Sequence, residues 1–317
     1  MMAHIVAIAL GVIIDRIVGD PPNWPHPVRW IGTAIKKLTN RWNRGTNTFQ
    51  NGFVLLGTIV TVVFILVYGI VFLAYSINPI IGIAVEALLI ASGLAQKSLK
   101  DAAMDVYDPL VTNDFERARE KLSWIVGRDT ENLDESEITR GVVETVSENT
   151  SDGVTAPLFW AFLLGAPGLW LYKAVNTLDS MVGYKTKEFK KFGFASAKAD
   201  DILNFIPSRI TGCLLIFVTK NHQNLSFSQR LKTWLQDAPK HPSPNSGWLE
   251  AATAVQLGVR LGGVNRYQGV ESHRAFMGTP VYQLEARHIK ETVKHMQIVT
   301  IGFFLLFALG GILLGIA

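Results

Sequence analysis

Charged and polar side chains gather at four places in a mostly apolar chain, at 19–29, 140–152, 173–209 and 241–260, each bordering an apolar segment. In the second, Glu137, Gly141, Glu144 and Glu148 follow the spacing of one helical face, and Asn149 and Asp152 continue beyond it. Carboxylates so placed, with a bare glycine between them, suit a hydrated Mg²⁺ held by one or two side chains plus substrate phosphates. The competing reading is a solvated acidic face. In the third cluster Lys173, Asn176, Thr177 and Ser180 share a face, with Asp179 three residues from Asn176. A lysine ending an apolar run either snorkels to water or supplies a point charge for phosphate. Asp200 and Asp201 precede Asn204, Pro207, Ser208 and Arg209. They either start a helix or hold a metal while Arg209 clamps an anion. His26 and His241 lie in proline-stiffened loops without the paired spacing of a metal site. Glu86, inside an apolar stretch, is a functional group or the partner of Arg16.

The elements that must position these groups are membrane helices. Of 317 residues, 49% are hydrophobic and 18% charged, and the mean hydropathy is +0.24, which favours a membrane protein over a soluble domain. A bilayer core takes about 20 apolar residues in a helix, so the sequence predicts an all-α polytopic protein with about four spans, at 4–19, 53–76, 79–95 and 296–317. Stretches 154–172 and 202–218 carry Pro157, Pro167 and Pro207 and read as re-entrant or protein-buried helices. The whole chain, 1–317, reads as one membrane-embedded catalytic domain, with its catalytic region at 96–295. Almost all of the 30 basic residues fall at 20–52 and 96–295, placing both regions on the cytoplasmic side. Asp114 is an expected cap for a helix from Phe115, and Asp134 with Glu137 has capping-box spacing. No segment alternates as a strand, and 219–245 reads as the most loop-like stretch. The net charge of +4 comes without a dense basic stripe, against nucleic-acid binding. The single cysteine, Cys213, permits no intrachain disulfide and reads as a small core residue. There is neither a P-loop nor a Gly-x-Ser-x-Gly elbow. Residues alone thus reach a membrane enzyme with an acidic site acting on phosphorylated or carboxylated compounds. A lipid-phosphate phosphotransferase shares that site chemistry. A transporter is disfavoured by the lack of inverted repeats.

The motifs themselves go further. Gly19-Asp20-Pro21, Pro25 to Arg29, Val126 to Thr130, Val143 to Trp160, Tyr172 to Gly183, Asp200-Asp201 with Asn204 to Arg209, His241 to Trp248 and Leu257 to Gly263 resemble the adenosylcobinamide-phosphate synthase family. The resemblance runs from about Asp15 to Gly278. It departs at Gln96-Lys97, where Lys97 stands for an arginine, at Ser246 and at Ala275. It implies a carbon–nitrogen ligase of cobalamin biosynthesis in the inner membrane, facing the cytoplasm. That enzyme joins adenosylcobyric acid to aminopropanol phosphate with ATP as co-substrate and Mg²⁺, alongside other membrane proteins of cobalamin assembly. On this reading Glu144, Glu148 and Asp152, or Asp200 and Asp201, hold metal. Lys173, Arg209 and Arg260 face phosphates, and His241 or Asp179 accepts the amine's proton. His26, Arg29, Asn149, Asn176 and Asn245 join the substrate-binding set. Trp124, Trp160 and Trp248 suit an apolar cleft for the corrinoid.

Overall fold

The computed structural model describes residues 2–21, 25–184 and 186–313. Its helices are α1 (Met2–Ile17), α2 (Pro27–Trp42), α3 (Thr48–Ile77), α4 (Pro79–Ala91), α5 (Gln96–Val111), α6 (Phe115–Ser123), α7 (Glu135–Thr150), α8 (Ala156–Val182), α9 (Phe194–Leu203), α10 (Phe205–Val218), α11 (Phe227–Asp237), α12 (Ser246–Leu257) and α13 (Arg287–Leu313). A π-helical turn, Ser151–Thr155, follows α7, and a 3₁₀ turn, Ala238–Lys240, follows α11. Strands β1 (Leu261–Tyr267) and β2 (Val270–Met277) make an antiparallel hairpin. The chain forms two compact units: Met1–Lys97 with Ala156–Asn204 and Phe304–Ala317, and Ser98–Thr155 with Phe205–Phe303.

Among the described residues four segments are long and apolar enough to cross a bilayer: Thr48–Ile77, Pro79–Val111, Glu135–Val182 and Arg287–Leu313. The bent pair α9 and α10 makes a fifth if counted as one span. The expected spans at 53–76 and 79–95 fall within the first two, and the described part of 296–317 within the last. Residues 314–317 lie outside the described residues. The expected first span is a helix of 16 residues, Met2–Ile17, shorter than any of the four. Burial separates the segments: the apolar window of Thr48–Ile77 is 22% buried and that of Glu135–Val182 is 72% buried. The first presents Ile65, Leu66, Phe72 and Leu73 outward, as a lipid-facing helix does, whereas the second is packed mainly in protein.

In the first unit α1 packs on α4, and α3 on both α4 and α8. A Cβ at Gly11 would sit 2.6 Å from Ile90 Cγ2, so the bare glycine lets α1 and α4 approach. Glu86 ties three elements together. It accepts hydrogen bonds from His4 Nδ1 (2.7 Å), the Tyr75 hydroxyl (2.8 Å) and the Ala166 backbone N–H (3.1 Å). Its partner is therefore not Arg16, which is exposed. The Ala166 N–H is available because α8 breaks at Gly165, whose φ is 68°, two residues before Pro167, which has no N–H of its own to offer.

In the second unit α12 lies at the centre, packed on α7, α10 and α11. Every residue from Leu249 to Leu257 is buried, and Ala251, Ala252 and Val255 join Leu215, Ile216, Trp234 and Met277 in one core. Cys213 packs against that core. Asp114 and Asp134 cap α6 and α7 as expected, the latter in a capping box with Glu137.

Two expectations are corrected. The hairpin falls where no strand was read, because Gly262-Gly263 interrupts the apolar alternation and β2 exposes most of its residues. Within 219–245, Ser226 and Gln229 form a capping box that starts α11, a local signal outweighed in the sequence by the surrounding Asn and Pro residues.

At Gly165 an added Cβ would fall 2.5 Å from Glu86 Oε1 on a backbone that L residues rarely adopt. Gly165→Ala is expected to destabilise the protein by about 1–3 kcal/mol, read as a lower thermal midpoint in detergent, whereas Gly57→Ala, in a regular helix with open space around it, does not lower the midpoint.

Candidate functional site

Within the second unit α7 lines up two carboxylates of different standing. Glu144 is locked: Arg128 Nη2 pairs with its Oε2, Arg140 Nη1 reaches Oε1 at 3.3 Å, and the Gly262 N–H donates to Oε1 at 2.9 Å. The two arginines also bond Asn265 Oδ1 at 2.7 and 3.1 Å, and Arg140 donates to the carbonyls of Gly262 and Val264. This knot fastens the β1–β2 hairpin to α7. One turn on, Glu148 accepts only a neutral donor among the hydrogen bonds resolved to it, the Ser246 hydroxyl at 2.7 Å, at the start of α12.

Facing them is a carboxyl that the sequence reading missed. Glu250 on α12 is fully buried, and neither of its oxygens has a hydrogen-bond partner. His241 Nε2 lies 3.5 Å from its Oε1, and Arg274 Nη1 lies 3.4 Å from the same ring nitrogen. Burial, aided by the charges of Glu144 and Glu148, pushes the Glu250 carboxyl well above the ordinary carboxylate range, against smaller opposing effects from Arg274 and Arg128. Burial and the Arg274 charge hold His241 below the usual histidine value. One signal for Glu250 was present, a single charge inside the run Leu249-Glu250-Ala251-Ala252-Thr253-Ala254-Val255, but helical spacing alone does not say which face is dry.

Nearby in the same unit, Arg209 lies over the rings of Phe205 (3.5 Å) and Trp248 (4.7 Å). It donates to Asn245 Oδ1 and to the carbonyls of Phe205 and Pro244, so Arg209 and Asn245 do meet. Arg260 is exposed, over Phe276 at 4.1 Å. Asn149 turns back to the Thr145 carbonyl, and Asp152 sits in the π-helical turn.

The first unit gathers a different set. A cavity of about 590 Å³ is lined by Asp20, His26, Arg29 and Lys173, with Ile14, Val18, Leu88 and Leu94 among its apolar walls. His26 caps α2 through Nδ1, which accepts the Val28 N–H at 3.2 Å, while Nε2 meets Asp20 Oδ1 at 3.1 Å. Lys173 projects from α8, and Arg29 from the first turn of α2. Away from the residues that line this cavity, Asp200 accepts from Asn176 at 3.2 Å and from Asn204 at 3.0 Å, and Asn204 in turn accepts from the Tyr172 hydroxyl at 2.9 Å. Asp201 pairs with Lys198 at 2.9 Å. Asp179 is half-buried one turn before Gly183, where any side chain would meet it.

The proposed metal ligands can be weighed on these contacts. Among the described residues no three His, Cys, Asp or Glu side chains stand close enough to hold a metal ion. Glu144 is taken up by guanidinium groups, and both Asp200 oxygens receive side-chain amides.

Comparison with known proteins gives a consistent picture. Residues 8–296 match the family model described as CobD/Cbib protein. The cobalamin biosynthesis protein CobD of Halalkalibacterium halodurans is 49% identical over 99% of this chain and 98% of its own length. The cobalamin biosynthesis protein CbiB of Salmonella typhimurium is 41% identical over 96% and 97%, and a CobD protein of Clostridium perfringens is 43% identical over 90% and 91%. No solved structure matches.

Removing the Glu144 charge leaves two buried guanidinium groups without their shared counter-ion, so Glu144→Gln is expected to cost about 3–5 kcal/mol, measured as a lower unfolding midpoint. Glu250 gives the opposite sign. Because its folded pKa lies above the ordinary 4.5, it subtracts stability as pH rises through that range. Glu250→Gln should therefore melt above the parent protein, by a margin that grows as pH is raised.

Proposed function

The chain belongs to the CobD/CbiB family, and from that premise we propose that it is a ligase of cobalamin biosynthesis. It joins adenosylcobyric acid to aminopropanol phosphate at the expense of ATP, giving adenosylcobinamide phosphate. The reading draws on near full-length identity to proteins named for cobalamin biosynthesis, and the observation that carries it is the cavity in which residues from separate sequence motifs meet. Arg29 and Lys173 bring two cationic side chains, beside the His26–Asp20 pair, to one rim over apolar walls, which suits a phosphorylated compound. The enzyme works in the cytoplasmic membrane, with its polar regions on the cytoplasmic side.

A carboxylate is a poor acyl donor, so a corrinoid carboxylate oxygen attacks the γ-phosphorus of ATP and ADP leaves. The amine nitrogen then attacks the acyl carbon of the resulting acyl phosphate, phosphate leaves, and the nitrogen gives up a proton. Magnesium brought by the nucleotide would supply counter-charge for its phosphates. Lys173 and Arg29 balance phosphate charge, a task in which preorganised cations act without reorganising. Arg209, already fixed between two rings and Asn245, presents a guanidinium of set orientation to an anionic group. Asp179 remains a candidate proton acceptor.

Purified in detergent, the protein should release ADP from Mg·ATP and adenosylcobyric acid only when aminopropanol phosphate is added, with the amide product confirmed by mass. Absence of product, while a related synthase is active under the same conditions, would discard the ligase reading in favour of a carrier. Lys173→Gln should raise KM for the phosphorylated substrate it binds by about tenfold or more, the worth of a charge-assisted hydrogen bond.

A further inference from the structure

We propose that α2 is an interfacial helix whose exposed face binds anionic phospholipid headgroups in the cytoplasmic leaflet, beside the cavity that Arg29 lines. The inference is independent of the ligase reading. Its first ground is a one-sided pattern of charge. Between Asp20 and Glu86 the chain has no acidic residue, whereas α2 and the link after it carry Arg29, Lys36, Lys37, Arg41 and Arg44. All five are exposed. Helical spacing brings Arg29, Lys36, Lys37 and Arg41 to one side of α2, while Ile31, Ile35 and Thr39 are buried on the other, where the helix packs on α3 and α8. Among the described residues no carboxylate pairs with any of the five. Like charges one turn apart, as at Lys37 and Arg41, repel each other, so this face is relieved by negative charge from outside the chain.

Depth in the bilayer is the second ground. The helix α3 has 30 residues, about 45 Å at the α-helical rise, against about 30 Å for the hydrocarbon core of a bilayer. Its exposed apolar side chains run from Phe49 and Phe53 to Ile77, which sets Thr48 at headgroup level. The link from Asn43 to Asn47 is all that separates Thr48 from Trp42 at the end of α2. Lys37, Arg41 and Arg44 are thereby held in the layer where lipid phosphates lie. Trp30, at the edge of the basic face, is 62% exposed and is of the residue type that favours this layer. The same distribution of Arg and Lys that orients the chain makes this layer the cytoplasmic one.

The shape of the face selects the occupant. Arg29 and Arg41 are separated by about 18 Å along the helix axis, too far for one small anion and suited to a row of headgroups. Each cation near an anionic surface strengthens attachment by about fivefold.

The full-length protein in phosphatidylcholine vesicles containing a minor share of phosphatidylglycerol, with bromine on the acyl chains of one lipid or the other, tests this. Trp30 emission is read as the difference between the parent and Trp30→Phe. At equal mole fraction, brominated phosphatidylglycerol should quench it about fivefold more strongly than brominated phosphatidylcholine. Lys36→Gln/Lys37→Gln/Arg41→Gln/Arg44→Gln should bring that ratio to about one, as should high salt on the parent. Lys36→Arg/Lys37→Arg keeps the charge and should keep the ratio, which separates lost charge from a damaged fold. Equal quenching by the two lipids in the parent, quenching by neither, or a preference that survives in the quadruple variant would each overturn the proposal. So would loss of the preference on adding glycerol phosphate at constant ionic strength, which would mark the face as a site for soluble phosphate compounds.

Discussion

A carboxylate taken out of water must be met by charge or by donors, and this requirement organises both units of the chain. In the second unit the Arg128–Glu144–Arg140 knot holds a hairpin against a helix that would otherwise offer it only backbone. In the first, Glu86 accepts from His4, Tyr75 and a freed backbone N–H, joining α1, the end of α3 and the break in α8. Asp200 is settled more mildly by two asparagine amides. Glu250 is the exception, buried with neither oxygen bonded.

Breaks in helices place polar groups where a continuous helix would not. Gly165 and Pro167 interrupt α8 and turn the Ala166 N–H toward Glu86. The π-helical turn after α7 sets Thr155 against the Thr150 carbonyl and the Thr211 hydroxyl. The proline-rich segment before α2 uses His26 as a cap, which fixes one ring nitrogen and leaves the other on Asp20. In each case a proline or a positive-φ glycine, or an extra residue per turn, leaves backbone groups unpaired, and a nearby side chain or helix end takes up the partner.

How much of this was legible varies with the range of the interaction. Helix starts at Asp114 and Asp134 were readable because a cap and its N–H lie three residues apart. The membrane class, the helical architecture and the family were readable because long apolar runs and ordered motifs survive without knowledge of contacts. The hairpin at 261–277 and the helix at 227–237 were not, since glycines and loop-forming residues masked their patterns. Of the candidate site residues, His26, Arg29 and Lys173 prove to line one cavity, whereas Glu144, read from its helical spacing as a possible metal ligand, is enclosed by arginines 16 residues before it and one turn before it.

The sequence by itself determined composition, span length, caps and motif order, all of which are written in neighbouring residues and in the cost of exposing apolar surface. Only the tertiary structure decided which carboxylates are neutralised and which stand unanswered. Glu144 and Glu250 look alike as letters in helical segments, but Glu144 meets Arg128, Arg140 and the distant Gly262 N–H, whereas Glu250 is packed among the charges of Glu144 and Glu148 with neither oxygen bonded. Charge balance in a dry interior is a property of packing, and it exists only once the helices have met.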